Sequence, residues 1–163
     1  MTYPLKSKRK RFDPVAYKQS DNKAKKCITK YLMSLGHTVL DTEENFGVDL
    51  MSTLENTTYN HEVEMKHMWE GDWPTVWKDI NIPFRKNRLI VQVFNDDPLA
   101  NFHFYIIRGD CKVAWKMDAN IVKDSPVVEV PNRAVRKGEY FFKVPVDKAE
   151  LLDLGGQDGS KTD

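Results

Sequence analysis

Apolar residues at helical spacing between positions 24 and 35 predict the clearest helix of the chain. Ser20 is suited to cap its N-terminus, with Asp21 in the first turn beside the positive end of the helix dipole. Gly36 is suited to end it in a left-handed conformation. The apolar positions of this helix are Ala24, Cys27, Ile28, Tyr31, Leu32 and Leu35.

Strand-like segments follow the helix. A short strand is predicted over His37–Leu40, and two longer strands over Val48–Leu54 and Tyr59–Lys66, with a polar stretch between them. Two strands around a short polar turn form a β-hairpin. A turn centred on residues 56 and 57 would place Asp49 directly opposite Glu64.

The remaining chain alternates further strands with irregular stretches. A buried strand is predicted over 88–94, a hairpin from 102–107 and 111–115, a short helix near 117–121, a strand over 140–144, and one or two helical turns over 145–152. Residues 67–87 carry no clear periodicity. A helix followed mainly by strands predicts an α/β fold with one central mixed β-sheet flanked by helices.

Charge is distributed unevenly along the 163 residues. Residues 1–30 carry ten Lys or Arg against two Asp, a net charge of +8, so the rest of the chain carries −7. We therefore expect a basic flexible arm over 1–17, which could track a nucleic-acid backbone or be a solvated tail. The folded domain is expected over 18–154 and a disordered tail over 155–163.

Composition favours a soluble protein of the cytoplasm, or of the host cytoplasm if the chain is phage-encoded. The basic N-terminal segment is not followed by an apolar stretch, and no apolar run is long enough to span a bilayer, so we expect neither a secretory signal nor a membrane partner. Cys27 and Cys111 stand outside any zinc-binding spacing and are expected to be reduced, buried and structural.

The second strand of the first hairpin carries the candidate chemistry. Alternation along the strand places Glu62, Glu64 and Lys66 on one face. Opposed carboxylates of Asp49 and Glu64 would repel each other unless a divalent cation lay between them. A metal ion with a lysine beside it has the components needed for phosphodiester hydrolysis. The alternative is an ordinary exposed hairpin with a weak Glu–Lys pair.

The segment Gly47-Val48-Asp49, a hairpin turn, and then Glu64-Met65-Lys66 resembles the PD-(D/E)XK nuclease superfamily, which includes restriction endonucleases, junction resolvases and phage or repair nucleases. The resemblance implies a restriction-endonuclease-like fold with Asp49, Glu64 and Lys66 as catalytic residues. Val48 replaces the proline of the motif.

The same resemblance implies a metal site. Mg²⁺ is the expected cofactor, with Mn²⁺ accepted, and Asp49, Glu64 and the backbone carbonyl of Met65 are the expected ligands. In many members the first helix supplies a further acid, for which Asp21 is the only candidate on this helix. A homodimer is expected on family grounds alone.

Several other residues have two interpretations. Glu62 is either a further ligand at the metal site or a residue of a solvated strand end, and His61 and His67 are expected to be structural or surface residues. Trp69, Trp73 and Trp77 either pack in the core or at an interface, or stack on unpaired bases. Nucleic-acid contacts are expected from cations of the arm, the first helix and the segment before residue 88, namely Lys8, Arg9, Lys10, Arg11, Lys23, Arg85 and Lys86.

The sequence therefore predicts a Mg-dependent endonuclease that hydrolyses DNA. Two other classes remain open: a non-catalytic nucleic-acid-binding module that retains the nuclease fold, and a structural or accessory protein that neither binds nor cuts DNA.

Overall fold

The computed structural model describes residues 14–41, 47–131 and 138–155, with only the backbone described at 14–21 and 41. A six-stranded mixed sheet forms the centre, with helices on both faces, as predicted. The helices are α1 (Pro14–Ser34), α2 (Asn87–Asp96) and α3 (Ala119–Lys123). The strands are β1 (Thr38–Asp41), β2 (Leu50–Leu54), β3 (Thr57–Lys66), β4 (Asp79–Pro83), β5 (Asn101–Arg108), β6 (Val113–Asp118), β7 (Val127–Val130), β8 (Glu139–Pro145) and β9 (Glu150–Asp153).

The central sheet has the strand order β1-β2-β3-β5-β6-β9. Only the β3–β5 pair is parallel, and the other four pairs are antiparallel. The long connection between β3 and β5 contains β4 and α2, as a parallel crossover requires. Strands β4, β8 and β7 form a second, antiparallel sheet. Strand β3 is thus an inner strand, hydrogen-bonded on both sides.

Helix α1 covers one face of the central sheet. It begins at Pro14, six residues before the predicted cap at Ser20, so the expected arm over 1–17 includes its first turn. Proline is favoured in the first turn of a helix because its missing N–H needs no partner there. The end at Gly36 is confirmed: its φ is 98°, and His37 N–H donates to the Leu32 carbonyl at 3.0 Å.

Apolar side chains form a separate core on each face of the central sheet. Under α1, Ile28 and Leu32 pack against Val63, Met65 and other side chains of the sheet. The second core lies between the opposite face and the layer made by the small sheet, α2 and α3, and its buried members include Ile82, Ile90, Phe104, Ile106, Trp115 and Phe142. Cys27 and Cys111 are buried and unbridged in the first core, as expected.

Several predicted elements differ from the structure. The apolar run 88–94 forms helix α2 rather than a strand, because Leu89 and Ile90 are buried together with half-buried Val93 and Phe94 one turn later. The stretch 67–87, predicted to be irregular, contains β4. The segment 145–152 has one helical turn of 3₁₀ type, at Val146–Lys148, and then enters strand β9.

Other predictions are confirmed with small shifts. Strands β1 and β8, the β5–β6 hairpin and the short helix α3 all lie where the pattern placed them. Within the described parts of the chain, no helix is long and apolar enough to cross a membrane.

Candidate active site

The charged side chains of β3 share one face of the strand, as alternation predicted. Glu62, Glu64 and Lys66 lie on the face opposite to α1, while His61, Val63 and Met65 are buried toward the helix. Glu62 is buried, Glu64 is exposed and Lys66 is half-buried. Glu62 is therefore shielded from solvent, whereas Glu64 and Lys66 are accessible to it.

The hairpin register differs from the prediction by two residues. Leu54 pairs with Thr57 and Leu50 with His61, so the turn consists of Glu55 and Asn56 alone. Both have positive φ, 51° and 70°, which is typical of a tight two-residue hairpin turn. The sequence prediction, which centred the turn on residues 56 and 57, missed this turn. Its first residue is a glutamate with positive φ, a conformation that glutamate rarely adopts.

The corrected register places Asp49 beside Glu62 rather than directly opposite Glu64. The Asp49 N–H donates to Glu62 Oε2 at 2.9 Å and to the His61 carbonyl at 3.1 Å. Its Oδ2 accepts from Val63 N–H at 3.0 Å. Glu64 is the next residue along the same face, a diagonal neighbour of Asp49. Asp49 is thus fixed against β3 by three hydrogen bonds.

Gly47 shapes the backbone just before Asp49. Its φ is 86°, a conformation that glycine adopts without steric cost. A Cβ at this position would approach Leu89 Cδ2 of α2 to 3.0 Å. Val48 is buried in the second core. The glycine and the buried valine together fix the backbone just before Asp49, and so determine where the Asp49 side chain lies on the charged face.

Lys86 reaches the charged face from another element. It ends a 3₁₀ turn, Phe84–Lys86, that leads into α2, and its Nζ lies 2.6 Å from Glu62 Oε1. The side chain of Glu62 is only 3% exposed, so this is a nearly buried ion pair. Arg85 is exposed in the same turn. The two cations that precede residue 88 therefore lie close to the acids of β3. The element that follows them is a helix and not the predicted strand.

Burial and neighbouring charges shift the pKa values in this cluster. Burial raises the pKa of Glu62, an effect that Lys86 opposes and Asp49 reinforces. Desolvation by the surrounding protein atoms raises the pKa of Glu64, although its side chain is exposed. The positive charges of Lys86, Arg85 and Lys66 counteract this shift. Burial lowers the pKa of Lys86, but the nearby acids outweigh it and the net shift is upward. Lys86 therefore stays charged.

Three acids and three cations thus influence one another on this face: Asp49, Glu62 and Glu64, with Lys66, Arg85 and Lys86. Near-balance of charge lets several ionisable groups stay charged at close range. An added anion, such as a phosphate, would meet cations on two sides of Glu64, from the strand and from the 3₁₀ turn.

The residues present are compatible with a hard divalent cation held by few protein ligands. Among the residues with described side chains, no three of His, Cys, Asp and Glu are arranged to hold a metal. Glu62 is engaged by Lys86 and by the Asp49 backbone, which leaves Asp49 and Glu64 as the carboxylate candidates. Mg²⁺ commonly binds one or two carboxylates and completes its shell with water and substrate oxygens.

The Met65 carbonyl fits the same site. Residues two apart along a strand direct their N–H and C=O groups to the same side. Since Val63 N–H points to Asp49, the Met65 carbonyl points to that side as well. Strand β2 begins at Leu50, opposite His61, and so does not pair with Met65.

The tryptophans of the 67–78 segment lie next to the charged face. They pack in or against the core and do not lie on a helix. Trp69 is buried, and its ring meets Trp73 edge-on at 5.0 Å. Trp77 meets Trp73 in the same way, and Lys66 Nζ lies 5.4 Å from the centre of the Trp77 ring. The core interpretation is confirmed for Trp69. The contact between Lys66 and Trp77 was not predicted.

Other predicted residues lie elsewhere. Lys23 lies on α1, where its Nζ donates to the Gly109 carbonyl at 2.9 Å, and it is not part of the charged face. His61 is structural, with its Nε2 2.8 Å from Ser52 Oγ, and His67 is exposed. Lys8, Arg9, Lys10, Arg11 and the tail from 156 lie outside the described residues, as does the side chain of Asp21.

Comparisons with family models and with curated protein sequences gave no match. Among solved structures, the chain is similar to Hjc, a Holliday junction resolvase from the archaeal hyperthermophile Archaeoglobus fulgidus. The TM-score is 0.47 and the sequence identity 12%, over 81% of this chain and 97% of that chain.

Proposed function

We propose that this protein is a metal-dependent endonuclease that hydrolyses phosphodiester bonds in DNA. The observation that carries the proposal is the charged face of β3, where Glu64 and Lys66 stand at the accessible end and Asp49 is anchored beside them. The resemblance of Asp49, Glu64, Met65 and Lys66 to the PD-(D/E)XK motif supports the same activity.

Asp49, Glu64 and the Met65 carbonyl would hold Mg²⁺, or Mn²⁺ in its place. When bound, such an ion polarises a phosphate and lowers the pKa of a water ligand. Every ligand in this set is an oxygen, which suits a hard cation. Glu62 does not need to bind metal, because its carboxylate already holds Lys86 and the backbone of Asp49.

Lys66 has two tasks in this proposal. Its ammonium, over the edge of the cluster and near the Trp77 ring, stabilises negative charge that develops on the phosphate. It also orients the attacking water by a hydrogen bond. Arg85, exposed beside Glu64, contacts a phosphate oxygen of the same strand and fixes the substrate without reading its sequence.

The Glu62–Lys86 pair is a positioning device. Glu62 accepts from the Asp49 backbone and from Lys86 with different oxygens, so it connects the hairpin to the turn before α2. Without it, Asp49 would lose one of its three anchors. The choice of DNA rests on the basic N-terminal segment and on the family resemblance, and a homodimer would supply two such sites for two strands.

The engagement of Glu62 and the lack of a three-acid cluster among the described side chains are also what a DNA-binding module without catalysis would have. This second candidate predicts binding to DNA with no metal-dependent cleavage. The following experiment separates the two.

The test incubates the full chain with linear, circular, branched and single-stranded DNA in Mg²⁺, Mn²⁺ or EDTA. We expect cutting in either metal, no cutting in EDTA, and a rate about 10²–10³-fold lower in Lys66→Ala. Lys123→Ala, an exposed lysine at the end of α3, is the matched control and should cut like wild type. Cutting that survives EDTA, or equal cutting by Lys66→Ala, contradicts the mechanism. Binding without cutting favours the module.

A further inference from the structure

A cavity of about 320 Å³ lies beside Lys66. Its lining includes Lys66, Trp77, Lys78, Asp79, Asn81 and Lys143, and we name it the Trp77 pocket. Its volume falls at the lower end of the range for small-ligand sites. Because Lys66 belongs both to this pocket and to the charged face of β3, anything bound in the pocket lies directly next to the proposed reaction site.

The charge of the Trp77 pocket favours an anion. Three lysines line it, at positions 66, 78 and 143, against the single acid Asp79. Lysines on a sheet surface are often no more than a solvated face. Here, however, Lys143 and Asn81 are cross-strand partners on β8 and β4, and both side chains are half-buried. They form the polar side of a small sheet whose other side is core.

The aromatic wall of the pocket is rigid. Trp73 Nε1 donates to the Trp77 carbonyl at 2.8 Å, and the Trp77 N–H donates to the Pro74 carbonyl at 3.0 Å. The Trp73 ring in turn packs on the buried Trp69 and on Trp115. A surface that is already ordered loses little entropy when a ligand binds. The adjoining Val76 is 77% exposed and adds apolar surface.

Asn81 offers a hydrogen-bond acceptor that has no partner in the described part of the chain. Its Oδ1 is shielded from water and has no donor among the residues described. A buried carbonyl oxygen without a partner costs free energy, so turning the Asn81 amide toward a ligand N–H in the pocket would be favourable. Ring N–H and exocyclic amino groups of nucleobases are donors of this kind, whereas a phosphate alone is not.

From these four features we propose that the Trp77 pocket binds an unpaired nucleotide of the DNA strand, adjacent to the phosphodiester that is cut. Lys78 and Lys143 hold its phosphate, Trp77 and Val76 contact its sugar and base, and Asn81 accepts from the base. In a continuous duplex the bases are stacked and paired, so the pocket selects DNA with unpaired nucleotides beside the cut. This inference rests on the proposed function for the identity of the ligand.

The test measures binding in EDTA, where cleavage is not required. Fluorescein-labelled single-stranded oligothymidylate and a duplex of equal length are titrated with the full chain at several salt concentrations. We expect the single strand to bind more tightly than the duplex. In Lys78→Ala/Lys143→Ala the slope of log K against log salt should fall by about 0.7, since the two lysines hold one phosphate and each phosphate neutralised on a single strand contributes about 0.7.

Two further variants make the result specific. Lys123→Ala/Lys148→Ala removes the same charge from exposed positions outside the pocket and should keep the wild-type slope. Trp77→Leu should weaken single-strand binding about ten-fold, and Trp77→Phe should restore part of it, because base stacking needs an aromatic ring. Circular dichroism and thermal unfolding of every variant establish that it is folded.

Equal slopes for the pocket variant and wild type, equal loss in the pocket and control variants, or duplex binding as tight as single-strand binding would each overturn the pocket. The proposed function can fail separately. If the pocket variants behave as expected in EDTA but wild type cuts no DNA in Mg²⁺ or Mn²⁺, the pocket stands and the nuclease does not. If wild type cuts and the slopes are equal, the reverse holds.

Discussion

The two faces of β3 differ in charge: one is buried and neutral, and the other carries several ionised side chains. Toward α1, His61, Val63 and Met65 enter a closed core, where burial lowers the pKa of His61 to about 3 and keeps the ring neutral. Toward the other side, Glu62 and Glu64 alternate with them, and cations surround them. The first face of this strand therefore carries no charged side chain. The second carries several, and their desolvation costs free energy that only pairing with opposite charges can offset.

The histidine face shows how polar atoms are accommodated without charge. Ser52 Oγ lies 2.8 Å from both His37 Nδ1 and His61 Nε2. A hydroxyl has one proton, so Ser52 donates to one ring and accepts from the other, and both histidines can stay neutral. The acids of the charged face cannot be satisfied in this way. Their negative charges are balanced by Lys86 and Arg85, which come from a segment distant in the sequence.

The largest effect on stability is expected from breaking the ion pair of the charged face. Lys86→Met removes the partner of a carboxylate that is 3% exposed. We expect the free energy of unfolding to fall by about 3 kcal/mol, the lower end for broken buried pairs, because the Lys86 side chain keeps 22% exposure. Chemical denaturation at pH 7 measures it.

The double variant Glu62→Gln/Lys86→Met is the control for this experiment. It removes both charges and should recover part of the loss, so a double-mutant cycle isolates the pair. If Lys86→Met unfolds with the wild-type midpoint, the two charges do not depend on each other.

The histidine face is expected to respond to acid. Burial first, and then the charges of His103, His37 and Lys116, lower the pKa of His61 to about 3 in the folded chain. Between pH 6.5 and about 3 the unfolded chain therefore binds more protons at this residue, and stability falls as the pH falls. The slope approaches about 1.4 kcal/mol per pH unit at most.

His61→Gln tests this assignment. Its free energy of unfolding should depend less steeply on pH between 7 and 5 than that of wild type, because the titrating ring is gone. Identical slopes would mean that other groups carry the acid sensitivity of this face.

A smaller effect is expected at the backbone that leads to Asp49. Gly47→Ala places a Cβ 3.0 Å from Leu89 and strains a residue with φ of 86°. We expect a loss of about 1–2 kcal/mol in stability. Thermal unfolding measures it, and Gly71→Ala is the matched control, with a similar φ of 68° and no atom within 4 Å. A loss in Gly71→Ala as large as that in Gly47→Ala would contradict a role for the Leu89 contact.

The smallest effect is expected at the hairpin turn that fixes the register of the charged face. Asn56 has φ of 70°, so Asn56→Gly should stabilise the chain by about 0.5 kcal/mol. Destabilisation in a denaturant titration would argue against the two-residue turn, and with it against the placement of Asp49 beside Glu62.

The sequence was sufficient for the charged face, because alternation along a strand needs no knowledge of its neighbours. It was insufficient for the register, which depends on Glu55 adopting an unusual left-handed conformation. It also failed for α2, where a run of leucine, isoleucine and valine resembles a buried strand. The partners of Glu62 and Lys66 come from residues 86 and 77 through tertiary packing, which no local pattern encodes.

Cleavage of DNA by wild type and by Glu64→Gln in Mg²⁺ tests the central claim most directly. The substitution keeps the size of an exposed side chain and removes one carboxylate, so the fold should persist while the rate falls at least about 10²-fold. Circular dichroism establishes that the variant is folded. A Glu64→Gln protein that is folded and cuts at the wild-type rate would contradict the assignment of this face as the active site.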